Sequence, residues 1–478
     1  MADERLLVDD LTAAEEARPD DRIDDERHDE DNILKREFVD RVKDALDEGD
    51  AEAAYDLVEP LHAADVADLL ELLSPDERRA LAAAITDLLS SEVIAELNDY
   101  VREDMIEALP AAAVAEIAGE LDTDDAVQLI EDLDEDDRAA VLAELEPEDR
   151  AAIESALAFP EETAGRLMSR DYVAVPEHLT VGALIDFLRT EPGLPSEFYE
   201  VFVVDARHHP VGTCDLSWIL TTPRNIALAD VMKRDQTLIP ATLDQEEVGN
   251  MFQKYALISA AVVDENGRLV GQLTVDDVVH IIAEEAGEDV LLLSGAGDGD
   301  INEPIRQAYS ARVRWLLANM LTASLASFVI SRFDDVIAAM VALAVLMPIV
   351  AGIGGNAGTQ TLAVTVRALA TNQLSSANTW RALRREMTIA LLNGATVAVI
   401  IGTIVALIFA NAMLGGVIAA AMMTNILVAG IAGVLVPLTL DRLGADPAIS
   451  SSIFVTMTTD SIGFLAFLGF AVLSGLVG

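Results

Sequence analysis

The stretch Pro348-Ile-Val-Ala-Gly352-Ile-Gly354-Gly355-Asn356-Ala-Gly358-Thr359-Gln360 decides how the C-terminal part of this chain folds. It lies at the end of an apolar run over 336–360 and carries no charge. Glycine at this density weakens a helix, and backbone groups freed inside a bilayer must be satisfied by protein or water. Freed carbonyls, with Asn356, Thr359 and Gln360, would offer oxygen dipoles to a partly hydrated cation. The stretch therefore reads as a pore lining. Close helix packing through small residues is the competing reading. A phosphate-cradling glycine loop is disfavoured, because no strand precedes it and no P-loop lysine follows.

Working outward, five apolar stretches near the ~20 residues a bilayer crossing needs are expected over 314–331, 336–360, 387–410, 416–440 and 448–475. The last holds Asp460, in Thr456-Met-Thr458-Thr459-Asp460-Ser461, with no other charge inside the span. An intramembrane carboxylate is costly and normally lines a pathway. No Lys or Arg stands at its depth, and the hydroxyls around it argue for a wet wall. A hydrated divalent cation suits such a site, since Mg2+ sheds water reluctantly and often binds through one or two carboxylates. One Asp per chain is thin for a divalent ion, so a two-fold homodimer bringing two copies to one axis is expected. Loop charge sets the orientation. Arg306 and Arg312, and then Arg381, Arg384 and Arg385, mark the cytoplasmic side, while Asp334-Asp335 reads as outside. An odd number of spans places the C-terminus outside.

Before these spans the texture is different. The chain carries 31 Lys+Arg against 83 Asp+Glu, a net charge of −52, yet 52% of its residues are hydrophobic. From Val313 onward seven arginines meet six acids, a net of +1. The preceding part holds the other 24 basic and 77 acidic groups, or −53. An intensely acidic N-terminal part is thus joined to a nearly neutral, apolar one. Without a basic surface to release counterions, nucleic acid is excluded as a partner. Cys214 is alone, which excludes a disulfide framework, a zinc ribbon and an iron–sulfur site. The few His residues form no ligand spacing and no Ser/His/Asp arrangement stands out, so no enzyme is indicated. Met1–Asp10 is acidic without an apolar core, so no signal peptide is expected and the acidic part is expected in the cytoplasm. Most of the acid reads as the hydrated surface that molar internal salt demands, a halophilic adaptation. Most carboxylates are then solvated groups and not ligands.

The fold class is a multidomain membrane protein. It has an acidic disordered tail over 1–32 and an all-α cytosolic N domain over 33–160. An α/β tandem pair over 161–285, a connecting or plug helix region over 286–312 and a five-helix transmembrane domain over 313–478 follow. In the N domain apolar residues recur at three and four, as in Val66, Leu69, Leu70 and Leu73. The stretches around SPDERRALAAA and DEDDRAAVLA repeat at an offset of about 60, consistent with stacked helical hairpins or an ordinary bundle. In the α/β part Met168-Ser-Arg-Asp171 matches Met232-Lys-Arg-Asp235, and Val211-Gly212 after Val203-Val204-Asp205 matches Val270-Gly271 after Val262-Val263-Asp264. Each unit reads as strand, helix, strand, turn, strand, helix and resembles a CBS domain, two in tandem. Such pairs often sense adenine nucleotides or ions, which makes ATP a candidate ligand.

The whole layout resembles the MgtE family of magnesium channels and transporters, through FPEETAGRLM at Phe159–Met168, the CBS pair, ARVRWL at Ala311–Leu316, GIGGNAGTQT at Gly352–Thr361, and DPA with TTD at Asp446–Ala448 and Thr458–Asp460. The resemblance implies a homodimer in the cell membrane whose pore runs between the two membrane domains. Asp460 is then the carboxylate that binds hydrated Mg2+, with Gly352, Gly355, Asn356 and Thr359 lining the pore. Thr359 and Ser452 stand where members carry Asn. It also implies passive Mg2+ influx closed by cytosolic Mg2+, which cross-links acidic faces that repel one another when empty. The matching regulatory positions are Asp276, Asp277, Glu285, Glu288, Asp289, Asp446 and Asp124. His280 and Gln128 replace acids there. A proton- or sodium-coupled divalent carrier and a CBS-containing membrane sensor without transport are the alternatives.

Overall fold

The computed structural model describes residues 27–29, 33–107, 109–131, 133–191, 193–195, 198–296, 299–375 and 377–477. Most of the expected acidic tail lies outside the described residues. Its described piece is tied down: His28 Nε2 lies 3.1 Å from Asp65 Oδ1, and Arg27 donates to the Pro60 carbonyl. The chain divides into two compact units, residues 1–278 and 279–478.

The first unit opens with short helices between Arg36–Glu48 and Pro147–Leu157. Each tends to pack on the helix two along: Ala51–Val58 on Pro75–Ala84, Ala63–Leu72 on Ser91–Ala95, and Thr123–Glu131 on Pro147–Leu157. This is the stacking of a solenoid. One arginine device recurs along it. Arg78 donates to the carbonyls of Leu70 and Leu73, and Arg138, sixty positions on, to those of Glu131 and Leu133. Arg150 repeats the bond on Ala143 and Leu145, and Arg102 on Leu97. Each guanidinium reaches back to satisfy carbonyls that the preceding helix leaves open at its C-terminus. The sequence repeat is therefore a repeat of helix capping as well as of apolar spacing.

Two three-stranded sheets follow, β1 (Ala174–Pro176), β2 (Glu200–Val204), β3 (Pro210–Asp215) and β4 (Leu238–Pro240), β5 (Ser259–Val263), β6 (Leu269–Thr274). In each the first pair is parallel and the second antiparallel, with a register shift at Val203/Val204 and at the equivalent Val262/Val263. The two repeated motifs turn out to be each other's partners. Met168 is buried over Gly271 while Ser169 exchanges backbone bonds with Gln272. Met232 is buried over Gly212 while Lys233 does the same with Thr213. A β-carbon on Gly212 would stand 2.8 Å from the Met232 sulfur, and one on Gly271 2.6 Å from the Met168 sulfur. The first repeat's leading segment thus edges the second sheet, and the link between the repeats edges the first.

The boundary between the units falls within the helix Val275–Ser294. In the second unit Leu292 and Leu293 pack against Leu362, Val366, Ala432, Ala448 and Val455. Among the described residues, five helices are long and apolar enough to cross a membrane. We call them the first span (Ile305–Ser331), second (Ala342–Ala370), third (Thr379–Ile408), fourth (Ala412–Arg442) and fifth (Pro447–Leu473). The fourth is central and packs on the second, third and fifth. Helix boundaries differ from the sequence reading at several places; the third span, for one, begins at Thr379 and not at 387. Residues 305–312, expected in the connector, belong to the first span's helix, which starts after Pro304. A short helix Asp334–Ala339 precedes the second span, so that span starts at Ala342 and not at 336. It also runs on past 360 to Ala370, through the uncharged Thr361–Val366 to Arg367, whose side chain at a helix end can reach the membrane surface. The expected freeing of carbonyls in the glycine-rich stretch does not occur either. The helix is continuous through it.

Candidate functional site

The second span turns two small-residue faces in different directions, as a 3.6-residue period requires. β-Carbons on Gly352 and Gly355 would meet nothing within 4 Å, and Asn356 and Thr359 are exposed on the same side. On another face, Gly354 and Gly358 are buried. A β-carbon on Gly358 would lie 2.6 Å from Val455 Cγ1, and Gly354 presses on Asn425. The packing reading therefore holds for Gly354 and Gly358, while Gly352 and Gly355 face open space. The packing glycines keep the helix intact against its neighbours, so no carbonyls are released. Thr359 Oγ1 bonds the Gly355 carbonyl within the same helix.

Gly358 against Val455 and Thr459, and Gly354 and Gly463 against the same Asn425 side chain, fix the second and fifth spans side by side. Residues 354–358 run antiparallel to 455–463. Asp460 is thereby level with Asn356. It is half-buried, and among the described residues its carboxylate has no hydrogen-bond or ion-pair partner. Gly352, Gly355, Asn356, Thr359 and Asp460 are thus gathered in one region of the membrane unit. Gln360 leaves this group. It lines a cavity of about 170 Å³ with Thr361, Arg385, Glu386 and Asn393, where Arg385 pairs with the buried Glu386 at 2.5 Å.

Asp124 and Asp277 come together, on helix Thr123–Glu131 and in the first turn of Val275–Ser294. Asp124 is buried, and among the described residues its Oδ1 has no hydrogen-bond partner. Burial first, then the charges of Asp277 and Asp125, pushes its carboxyl well above the usual range. Asp125 is raised to about 6 by burial and then by Asp277 and Asp122. Asp277 is raised by burial and by Asp276 and Asp122, against the pull of the Thr274 hydroxyl that donates to it. Asp171 accepts from the Thr123 amide and hydroxyl beside this cluster. Several acids thus crowd, and the charge of Arg102 offsets only part of their repulsion at Asp125. Among the described residues no three His, Cys, Asp or Glu side chains converge closely enough to enclose a metal. Asp276 is exposed, Glu285 half-buried and Glu288 exposed, while the Asp289 side chain lies outside the described residues. Asp446 caps the fifth span, accepting from the Ala448 amide at 2.6 Å.

Sequence reasoning missed Asp125, Glu386 and Asn425. Asn425 had a signal like the one that exposed Asp460, a strongly polar group inside a long apolar run. Glu386 had been read only as one charge among six.

Residues 347–470 match the family model for MgtE, a divalent cation transporter, residues 61–162 the MgtE intracellular N domain, and residues 228–284 the CBS domain. The magnesium transporter MgtE of Thermus thermophilus is 31% identical over 439 residues, covering 90% of this chain and 97% of that protein. That of Bacillus subtilis is 28% identical over 442 residues, covering 92% and 98%. A crystal structure of the cytosolic domain of the Mg2+ channel MgtE in complex with ATP is 29% identical, with a TM-score of 0.47, and covers 51% of this chain and 99% of that one.

Proposed function

This chain belongs to the MgtE family of magnesium transporters, multi-pass membrane proteins and not enzymes, and from that premise we propose that it is a passive Mg2+ channel gated by cytosolic Mg2+. The supporting observation is the exposed stripe of Gly352, Gly355, Asn356 and Thr359 level with the unpartnered carboxylate of Asp460. The glycines leave room for an ion that keeps its water, the amide and hydroxyl hydrogen-bond that water, and the carboxylate supplies the charge. Two copies facing across a homodimer axis supply two carboxylates to one ion. The N-terminal domains are cytoplasmic and the C-terminus is outside.

Closure uses the crowded acids. Asp124, Asp125 and Asp277 repel one another, and Mg2+ relieves that repulsion. Whichever arrangement holds the acids closest gains most from the ion, and the proposal assigns that arrangement to the closed channel. Asp276, Glu285, Glu288, Asp289 and Asp446 extend the sensor. The CBS pair takes ATP, as the related cytosolic domain does.

Ion flux into liposomes, with internal Mg2+ varied, tests the reading. Uptake of Mg2+ driven by voltage alone and abolished by Asp460→Asn is expected. Uptake that needs a proton or sodium gradient would make the protein a coupled carrier.

A further inference from the structure

Asn425 is wholly buried in the middle of the fourth span, among Met422, Ile426 and Ala429. Its Nδ2 donates to the Val350 carbonyl at 3.0 Å, and its Oδ1 is buried with no partner among the described residues. Both helices that flank it make room by having no side chain. A β-carbon on Gly354 would stand 2.0 Å from Nδ2, and one on Gly463 2.6 Å. An apolar side chain of similar volume would fill the space without stranding a carbonyl oxygen in a membrane interior, so packing alone does not account for an amide there.

The two glycines are the informative neighbours. Gly354 lies between Gly352 and Gly355 of the open stripe, and Gly463 lies one turn beyond Asp460. One side chain therefore sets where the second span stands relative to the fifth at the depth of the carboxylate. The bond to Val350 fixes the height of the second span, and contact with Gly463 fixes how near the fifth can come. We propose that Asn425 is a positioning residue for ion selection: it never meets the ion, but it holds Asp460 at a set distance from the Gly352–Thr359 wall. The width of the passage decides which hydrated ion the carboxylate and the wall can hold together, so a shift of the two helices changes preference among divalent ions before it stops flux. This rests on the reading that the second and fifth spans line the ion path.

The test uses the full chain in liposomes, with uptake of Mg2+, Mn2+ and Ca2+ measured separately. Asn425→Leu keeps the volume and removes the bond. The preference for Mg2+ over Ca2+ is expected to fall roughly threefold or more, the scale of coupling between contacting residues, while Mg2+ uptake continues. Gly463→Ala is expected to lose the preference as well, and Gly463→Ala combined with Asn425→Ala to recover part of it, because the methyl group then has space. Unchanged preference in Asn425→Leu would overturn the inference. If that variant does not fold, the glycine pair decides: a double variant no better than Gly463→Ala overturns it. Asp460→Asn is the control. If it conducts Mg2+ normally, the pore reading itself fails, whatever Asn425 does.

Discussion

Replacing Asp125 by Asn should stabilise helix Thr123–Glu131, and the gain should depend on pH in a defined way. In the folded chain the Asp125 carboxyl is raised to about 6, by burial and by Asp277, Asp122 and Glu96, with Arg102 opposing. Relative to an ordinary aspartate that is a penalty on the charged form of roughly 3 kcal/mol. The sign follows from linkage. An acid whose folded value is raised weakens the fold when ionised, so the penalty is absent below the ordinary carboxylate range. It grows by about 1.4 kcal/mol per pH unit up to about 6 and is constant above that. Asn carries no such penalty. Allowing for relaxation and salt screening, the variant should gain about 1–2 kcal/mol at pH 8 and about half of that at pH 5. Amide hydrogen exchange on the full-length protein in detergent reads the opening of this helix directly. Mg2+ provides the second axis. At a hundredfold excess over its dissociation constant a bound ion adds about 2.7 kcal/mol to the parent, and should add less to the variant. A gain that is absent at pH 8, or flat with pH, would refute the claim that these acids strain one another.

Other consequences are as direct. Arg78→Ala removes a buried guanidinium bonded to Leu70, Leu73 and Asp104, and should cost about 2–4 kcal/mol in local exchange. Arg150→Ala, in the same device but more exposed, should cost less. Asp446→Ala loses a helix cap worth about 1 kcal/mol, whereas Asp446→Asn keeps the cap and removes the charge. If Asp446 is a sensor ligand, both variants lose inhibition by internal Mg2+; if it only caps, Asn retains it. Gly358→Ala should disrupt folding in detergent melts, whereas Gly355→Ala should melt like the parent and reduce flux, because only the second methyl points into open space.

The five spans, the tandem repeat and Asp460 were legible because each leaves a one-dimensional mark. These marks are a run of apolar residues, a motif recurring at a fixed offset, and a charge where none is tolerated. What was not legible depends on which residues meet. The glycines at 352, 354, 355 and 358 look alike in sequence, yet two face open space and two are pressed against other helices. Only the neighbouring spans distinguish them. The matched Met and Gly motifs were visible as repeats, but not as partners crossing from one repeat to the other. Asp125 was indistinguishable among so many acids until folding buried it beside Asp277. Some helix ends were misjudged because charged residues continue a helix that apolar content alone would close, as Arg306 and Arg312 do in the first span and Arg381, Arg384 and Arg385 in the third.

The second span carries two different small-residue faces on one helix. Residues 354, 358, 361 and 365 recur at three and four, and Gly354, Gly358, Thr361 and Thr365 are all buried. Residues 352, 355, 356 and 359 follow the same rhythm displaced by about a third of a turn or more, and none of them is buried. Small residues on the first face let the backbone approach its neighbours, which restores by contact what glycine takes from helix stability. Small residues on the second face bring no such contact, so packing within the chain cannot be their purpose. Against hydrocarbon they would expose helix backbone and an unpaired amide at Asn356, beside an unpartnered carboxylate at Asp460. That arrangement is tolerable only where the face meets water, and water at that depth requires a second wall. On the proposed reading, a two-fold copy of the same face would supply that wall and match each carboxylate with another, which is the charge a divalent ion needs.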